Sequence, residues 1–125
     1  MVKTVITIIV ATIIFAGISI VEQTYVKKEF GEFALSLETL YDKVDNETCE
    51  KQDVTAFKEI WLSKKKKLHV FIPHNDIKEV ELWIGETMAF VEQKNYKEAI
   101  SKLEVLRLLV KEIPKTFTFR LENVL

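Results

Sequence analysis

Of the side chains that could do chemistry, this chain holds two histidines and one cysteine, and their spacing decides how far they can be taken. His69, His74 and Asp76 form the one group that resembles a metal site. Pro73 stands between the histidines and forces Ile72 out of helical geometry. The pair of histidines on one helix face that a zinc site of this kind requires therefore does not arise, and a loop with a helix cap is the favoured reading. Cys49 is distant from both histidines in sequence and, being single, can form no internal disulfide. A glycine-rich phosphate loop, a nucleophile elbow, paired catalytic carboxylates and a Cys-His arrangement are all missing. The expectation is a protein that is no enzyme, with no cofactor and no metal.

A second group is the run Lys64, Lys65, Lys66 and Lys67. Near a membrane such a run attracts anionic headgroups, at about 1 kcal/mol per lysine close to the surface. It equally suits the C-terminal turn of a helix, where the dipole favours cations. These four lysines are the candidate lipid-headgroup contact. Pro73, His74, Asn75 and Asp76, with Phe117, Phe119 and Leu121 of the tail, are the candidate protein-interaction surface.

These residues need elements to position them, and the first is unlike the rest. The chain has 125 residues, 48% hydrophobic and 30% charged, with a net charge of −1. That balance gives no global basic excess for a nucleic-acid binder, and three glycines with two prolines argue against disorder. From Thr4 to Val21 run 18 residues without a charge, 11 of them Val, Ile or Phe. At about 1.5 Å per residue they match a hydrocarbon core of about 30 Å. The run is longer than a signal-peptide core and no A-x-A cleavage pattern ends it. Residues 1–22 are therefore expected to be an uncleaved transmembrane anchor, contacting membrane lipid through residues 4–21. Lys3 opposes Lys27 and Lys28 in the positive-inside count. The short leading tail and the acidic flank after the span favour a cytoplasmic N-terminus and an extracytoplasmic domain.

Beyond residue 22 the apolar spacing is helical. Val26, Phe30, Phe33, Leu37, Leu40 and Val44 recur in alternating steps of four and three, one stripe along a helix that continues the anchor. Residues 45–52 lack periodicity and read as a connection. Asp53 is expected to cap a second helix carrying Val54, Phe57, Trp61 and Leu68, which exits at Pro73. Asp76 and Glu79 form a capping box for a third helix with Ile77, Val80, Ile84, Thr87 and Val91. Asn95 and Glu98 do the same for a fourth, carrying Ala99, Leu103, Leu106, Val110 and Ile113, which Pro114 is expected to end. Residues 80–113 partly follow the tetratricopeptide pattern at Trp83, Phe90, Ala99 and Leu103, but Thr87 and Leu106 occupy positions where that repeat packs small residues. A generic antiparallel hairpin is the better reading. The fold class is all-α: the anchor, a bundle of about four amphipathic helices over residues 23–113, and an extended tail, 114–125, packed on it.

The anchor, the lysine run, Phe71-Ile72-Pro73-His74-Asn75-Asp76-Ile77, the Asn95-Tyr96-Lys97-Glu98-Ala99 turn, and Ile113-Pro114-Lys115-Thr116-Phe117 with Leu121-Glu122-Asn123-Val124-Leu125 together resemble a domain-of-unknown-function family. Its members are short single-pass proteins from anaerobic, spore-forming Gram-positive bacteria. The resemblance spans essentially the whole chain and implies a cell or spore membrane and a multispanning membrane partner. It carries no catalytic residue or cofactor. The expected role is a membrane-anchored accessory or protein-interaction module, with a lipid- or small-ligand-binding domain at the membrane surface as the alternative.

Overall fold

The computed structural model describes residues 1–124 and is built of four α-helices: α1 (Val2–Asp45), α2 (Lys51–Leu68), α3 (His74–Glu92) and α4 (Tyr96–Val124). α1 packs on α2 and α4, and α3 packs on the same two helices. Successive helices therefore run antiparallel in an up-down-up-down ring. The expected class is the observed one.

α1 is a single helix of 44 residues, and the two parts of its sequence meet different surroundings. Its first 21 residues project out of the bundle, and of these only Ser19 is buried. This segment is long and apolar enough to cross a membrane. From Val26 onward the same helix is a wall of the core. All six stripe residues, Val26 to Val44, are at most 3% exposed. They share one core with Val54, Phe57, Trp61, Val80, Ile84, Leu103 and Leu106. Phe33 stacks on Phe57 at 4.9 Å between ring centroids and lies 5.2 Å from Trp61. Gly31 interrupts nothing in this wall: a Cβ built on it would meet no atom within 4 Å.

The connections are short, and their chemistry shifts several expected boundaries by a turn or less. Asp53 is not the cap of α2 but its third residue. Glu50 is the cap, and the two carboxylates complete a reciprocal capping box in which the Glu50 N–H donates to Asp53 Oδ2 at 2.9 Å. α2 closes at Leu68 rather than running to Pro73, and the N–H groups of Phe71 and Ile72 both donate back to the Leu68 carbonyl. α3 begins at His74 with Pro73 at the cap position. Asp76 is thus a first-turn carboxylate, favoured there by the helix dipole, and Glu79 instead accepts from Trp83 Nε1 at 3.0 Å. Asn95 does cap α4, accepting from the Glu98 N–H at 3.3 Å. At the far end of the bundle α1 and α3 stop alike. Glu47 and Lys94 take positive φ, 58° and 56°, and the next residue's N–H reaches back to the carbonyl of Lys43 or Phe90.

The largest departure from expectation is the tail. Residues 114–124 are not extended: α4 passes through Pro114 and continues to Val124. Leu125, the last residue of the expected tail, lies outside the described residues. Proline costs an internal helix about 3 kcal/mol or more, since it cannot donate to the carbonyl four residues back. Ile113, Phe117 and Leu121 follow one another at four-residue steps, however, and continue the stripe of α4. Ile113 and Phe117 are buried and Leu121 packs on the core, and each large apolar side chain buried is worth about 1.5–3 kcal/mol. The apparent polar-apolar alternation of Thr116 to Leu121 is a helical period seen through a short window.

The α3–α4 pair is the expected generic hairpin. Thr87 is fully buried at the position where a small residue was wanted, and it satisfies its hydroxyl by donating to the Trp83 carbonyl at 2.8 Å.

Candidate functional site

The ring places the α2–α3 turn and the last turns of α4 beside the start of the core part of α1, at the end from which the apolar segment leaves. Here the expected interaction residues come together, with unequal roles. Phe71 in the turn makes edge contacts with both Tyr25 of α1 and Phe117 of α4, each at 6.0 Å between centroids. Phe117 is therefore a core residue that closes this end of the bundle. Leu121 packs along the same seam, whereas Phe119, two residues away on the opposite face, is 63% exposed. His74 and Asn75 are exposed on the first turn of α3. Asp76 is half-buried, with Oδ2 3.9 Å from the Arg120 guanidinium. His69 caps α2, its Nδ1 3.0 Å from the Lys66 carbonyl. Among the described residues no three His, Cys, Asp or Glu side chains converge as a metal site would require.

The four lysines divide as well. Lys64 turns inward: it is 9% exposed and its ammonium donates to Glu29 at 2.8 Å and also to Glu32. Glu29 is itself 4% exposed, so this is a buried ion pair joining α1 to α2. Burial alone would lower the Lys64 pKa, but hydrogen bonds and the charges of both glutamates outweigh it and hold the amine above its ordinary value. The same hydrogen bond and charge hold Glu32 below the usual carboxylate range. Lys67 adds a longer contact to Glu29 at 3.8 Å, and Lys65 pairs with Glu81 at 2.6 Å. Glu81 also accepts from Trp61 Nε1 at 3.3 Å. Burial pushes its carboxyl up, and Lys65 with Trp61 more than reverses this. Lys66 is exposed and makes no ion pair among the described residues. The run is therefore mainly a fastener between helices, and its outward charge rests on Lys66 and Lys67.

Lys64, expected at lipid headgroups, thus faces the core, and Glu29 was not singled out from the sequence at all, although each carries a signal. Glu29 stands three residues after Val26 and four before Phe33, and Lys64 stands three after Trp61 and four before Leu68. Each is a charge set into an apolar stripe, one on each of two neighbouring helices. A second polar seam ties α1 to α4. Arg107 grips Glu38 through Nε at 2.8 Å and Nη2 at 2.5 Å and lies 3.5 Å over the Tyr41 ring. Tyr41 in turn donates to Glu104 at 2.7 Å. That hydrogen bond raises the phenol's pKa.

Cys49 sits at the opposite end of the bundle, 1% exposed. Burial pushes its thiol up to about 11, which makes it an inert core side chain at neutral pH.

Residues 20–124, the bundle together with the last turn of the apolar segment, match the model of a domain of unknown function, DUF4363. The chain belongs to that family. The DUF4363 match begins where the apolar segment nears its end and runs to the last described turn of α4, so the helical tail beyond Pro114 is part of the domain. No curated protein and no solved structure matches the chain. The geometry of this DUF4363 domain gives its side chains distinct roles: fasteners at Glu29–Lys64 and Glu38–Arg107, an aromatic closure at Tyr25–Phe71–Phe117, and an exposed fringe at His74, Asn75 and Phe119.

Proposed function

We propose that this protein is a single-pass, non-catalytic accessory module that holds a rigid helical bundle at a bacterial cell membrane and acts by contact with a larger membrane protein. One observation carries the reading: α1 leaves the bilayer-length apolar segment and enters the bundle core without a break. The bundle is thus held at a set height and orientation, as an accessory subunit needs and a freely tethered domain does not. The apolar segment buries only Ser19 against the rest of the chain, which leaves most of its circumference for lipid and for neighbouring spans. His74 and Asn75 stand exposed at the end of the bundle nearest that segment, within reach of a partner's loops. The resemblance to short proteins of spore-forming Gram-positive bacteria supports the same placement. In this reading the N-terminus is cytoplasmic and the bundle extracytoplasmic.

The test is co-purification of the full chain from its native membrane in mild detergent. A stoichiometric multispanning protein that is lost on replacing His74 and Asn75 by bulky acidic residues is the expected result. A chain that always elutes alone defeats the accessory reading.

A further inference from the structure

The end of the bundle beside the apolar segment exposes two large apolar side chains that its core does not need: Val70 in the α2–α3 turn is 75% exposed and Phe119 on α4 is 63% exposed. Their heights follow from contacts. Phe71 touches Tyr25 and Phe117, so the turn and this part of α4 are level with Tyr25. Tyr25 lies four residues beyond Val21, the last residue of the uncharged run, or about 6 Å along the helix. Phe119, two residues further along the descending α4, is about 3 Å lower still. The headgroup layer on each side of a bilayer is about 5–8 Å deep. Both side chains therefore fall within it whenever residues 4–21 span the hydrocarbon.

The charges just above this level favour one kind of surface: Lys27 and Lys28 stand about 9–11 Å beyond Val21 and Lys67 lies beside Glu29, so their long side chains can reach down to the phosphates. Lys27, Lys28 and Lys66 are exposed and make no ion pair among the described residues, and Lys67 makes only the 3.8 Å contact to Glu29. On the same end stands Arg120, shared with Asp76 at 3.9 Å. The carboxylates at the same end are Glu22, Glu79 and Glu122, with Asp76 shared with Arg120 and with Glu29 and Glu32 already engaged by Lys64. The exposed cations outnumber the exposed carboxylates.

We infer that this end of the bundle is seated in an anionic lipid surface, with Val70 and Phe119 entering the headgroup layer and Lys27, Lys28, Lys66 and Lys67 facing lipid phosphates. The inference rests on residues 4–21 being an anchor. It adds that the bundle lies on the bilayer, docked through a second contact, and does not stand clear of it. An anionic bilayer is the occupant because the anchor brings it to this face unaided.

The test uses the full chain in lipid nanodiscs. With Cys49 replaced by alanine, Val70→Cys, Phe119→Cys and a control, Leu35→Cys, each carry a polarity-sensitive fluorophore. Leu35 is 71% exposed and lies about 21 Å beyond Val21. In discs containing phosphatidylglycerol the labels at 70 and 119 should show dry, blue-shifted emission and quenching by headgroup-level nitroxide lipid, while the label at 35 stays wet. Changing Lys27, Lys28 and Lys66 together to glutamine should shift the docked-to-undocked ratio at least about tenfold toward undocked, read as lost quenching, since each lysine near an anionic surface contributes on the order of 1 kcal/mol. Labels at 70 and 119 that remain wet in chains that have entered the discs overturn the seat and leave the anchor standing. Equal drying in purely zwitterionic discs overturns the anionic preference. A chain that fails to enter the discs at all overturns the anchor, and with it both readings.

Discussion

Replacing Lys64 by methionine should cost this bundle a large share of its stability, because the change strands Glu29. The carboxylate is 4% exposed and takes its closest cation from Lys64 at 2.8 Å, while Lys67 is 3.8 Å away. Removing one partner of a buried pair costs about 3–5 kcal/mol, most of it the penalty of a charge left without compensation. Lys67 can swing closer, which puts the expected loss near the lower figure, about 3 kcal/mol. A domain of this size has on the order of 5–15 kcal/mol in total. At about 4–8 °C per kcal/mol the midpoint should fall by roughly 12 °C or more. Glu32, half-exposed, returns to water at little cost. The double variant Glu29→Leu/Lys64→Met removes both charges and should recover most or all of the loss, since well-packed apolar replacements of buried pairs are often neutral or stabilising. The assay is thermal and denaturant unfolding of the detergent-solubilised full chain, followed by helical circular dichroism and arranged as a double-mutant cycle. A Lys64→Met chain that loses less than about 1 kcal/mol, with a double variant no more stable than the single one, would refute the reasoning. The pH dependence has a definite sign in the wild type. Lys64 is held above its ordinary pKa, so its contribution is complete below the unfolded lysine value and disappears as pH rises through the folded one. Glu32 is held low, so its contribution is complete above the unfolded glutamate value and is lost as pH falls through the folded one. Between those limits the fastener should be insensitive to pH.

Two further outcomes follow from single residues. Gly31→Ala should stabilise the bundle by about 1 kcal/mol, because the added Cβ meets nothing within 4 Å; an unchanged or lower unfolding midpoint would mean that α1 bends there in a way the straight-helix account omits. Cys49, with its thiol pushed up to about 11, should react with a thiol reagent at pH 8 at least about 100-fold more slowly in the folded chain than in denaturant, where an ordinary cysteine has a pKa of about 8.5. The same shift makes the folded state lose stability as pH rises from the unfolded thiol value toward 11.

The helices were legible because their apolar residues keep strict period: every residue of the Val26 to Val44 stripe and of the Ala99 to Ile113 stripe is buried. Period reports what a helix buries, and it is silent on what lies across from it. That Lys64 would meet Glu29 depends on the register between α1 and α2, which no local pattern specifies, and so an inward-facing lysine read as part of an outward-facing run. Pro114 misled for a related reason. Its local penalty is visible in the sequence, whereas the compensating burial of Phe117 against Phe71 arises only once α4 lies beside the turn. The cap shifts at Asp53 and Asp76 are smaller matters, since an acidic residue serves at the cap or at the third position of a first turn. For the interaction surface, the residue types of Phe117 and Phe119 are the same and the helix face alone separates a core ring from an exposed one.

The unbroken passage of α1 from the apolar segment into the core also sets a phase. Each residue of an α-helix turns by about 100° and rises about 1.5 Å, and the bundle is built onto one face of the rod that carries the segment. One residue inserted between Val21 and Val26 would swing the whole bundle through more than a quarter-turn about the rod, while seven would return it almost to its starting bearing about 10 Å further out. A twist imposed on the apolar segment by its neighbours would reach the bundle as rotation, and the compass bearing of His74, Asn75 and Phe119 is thus inherited from inside the segment.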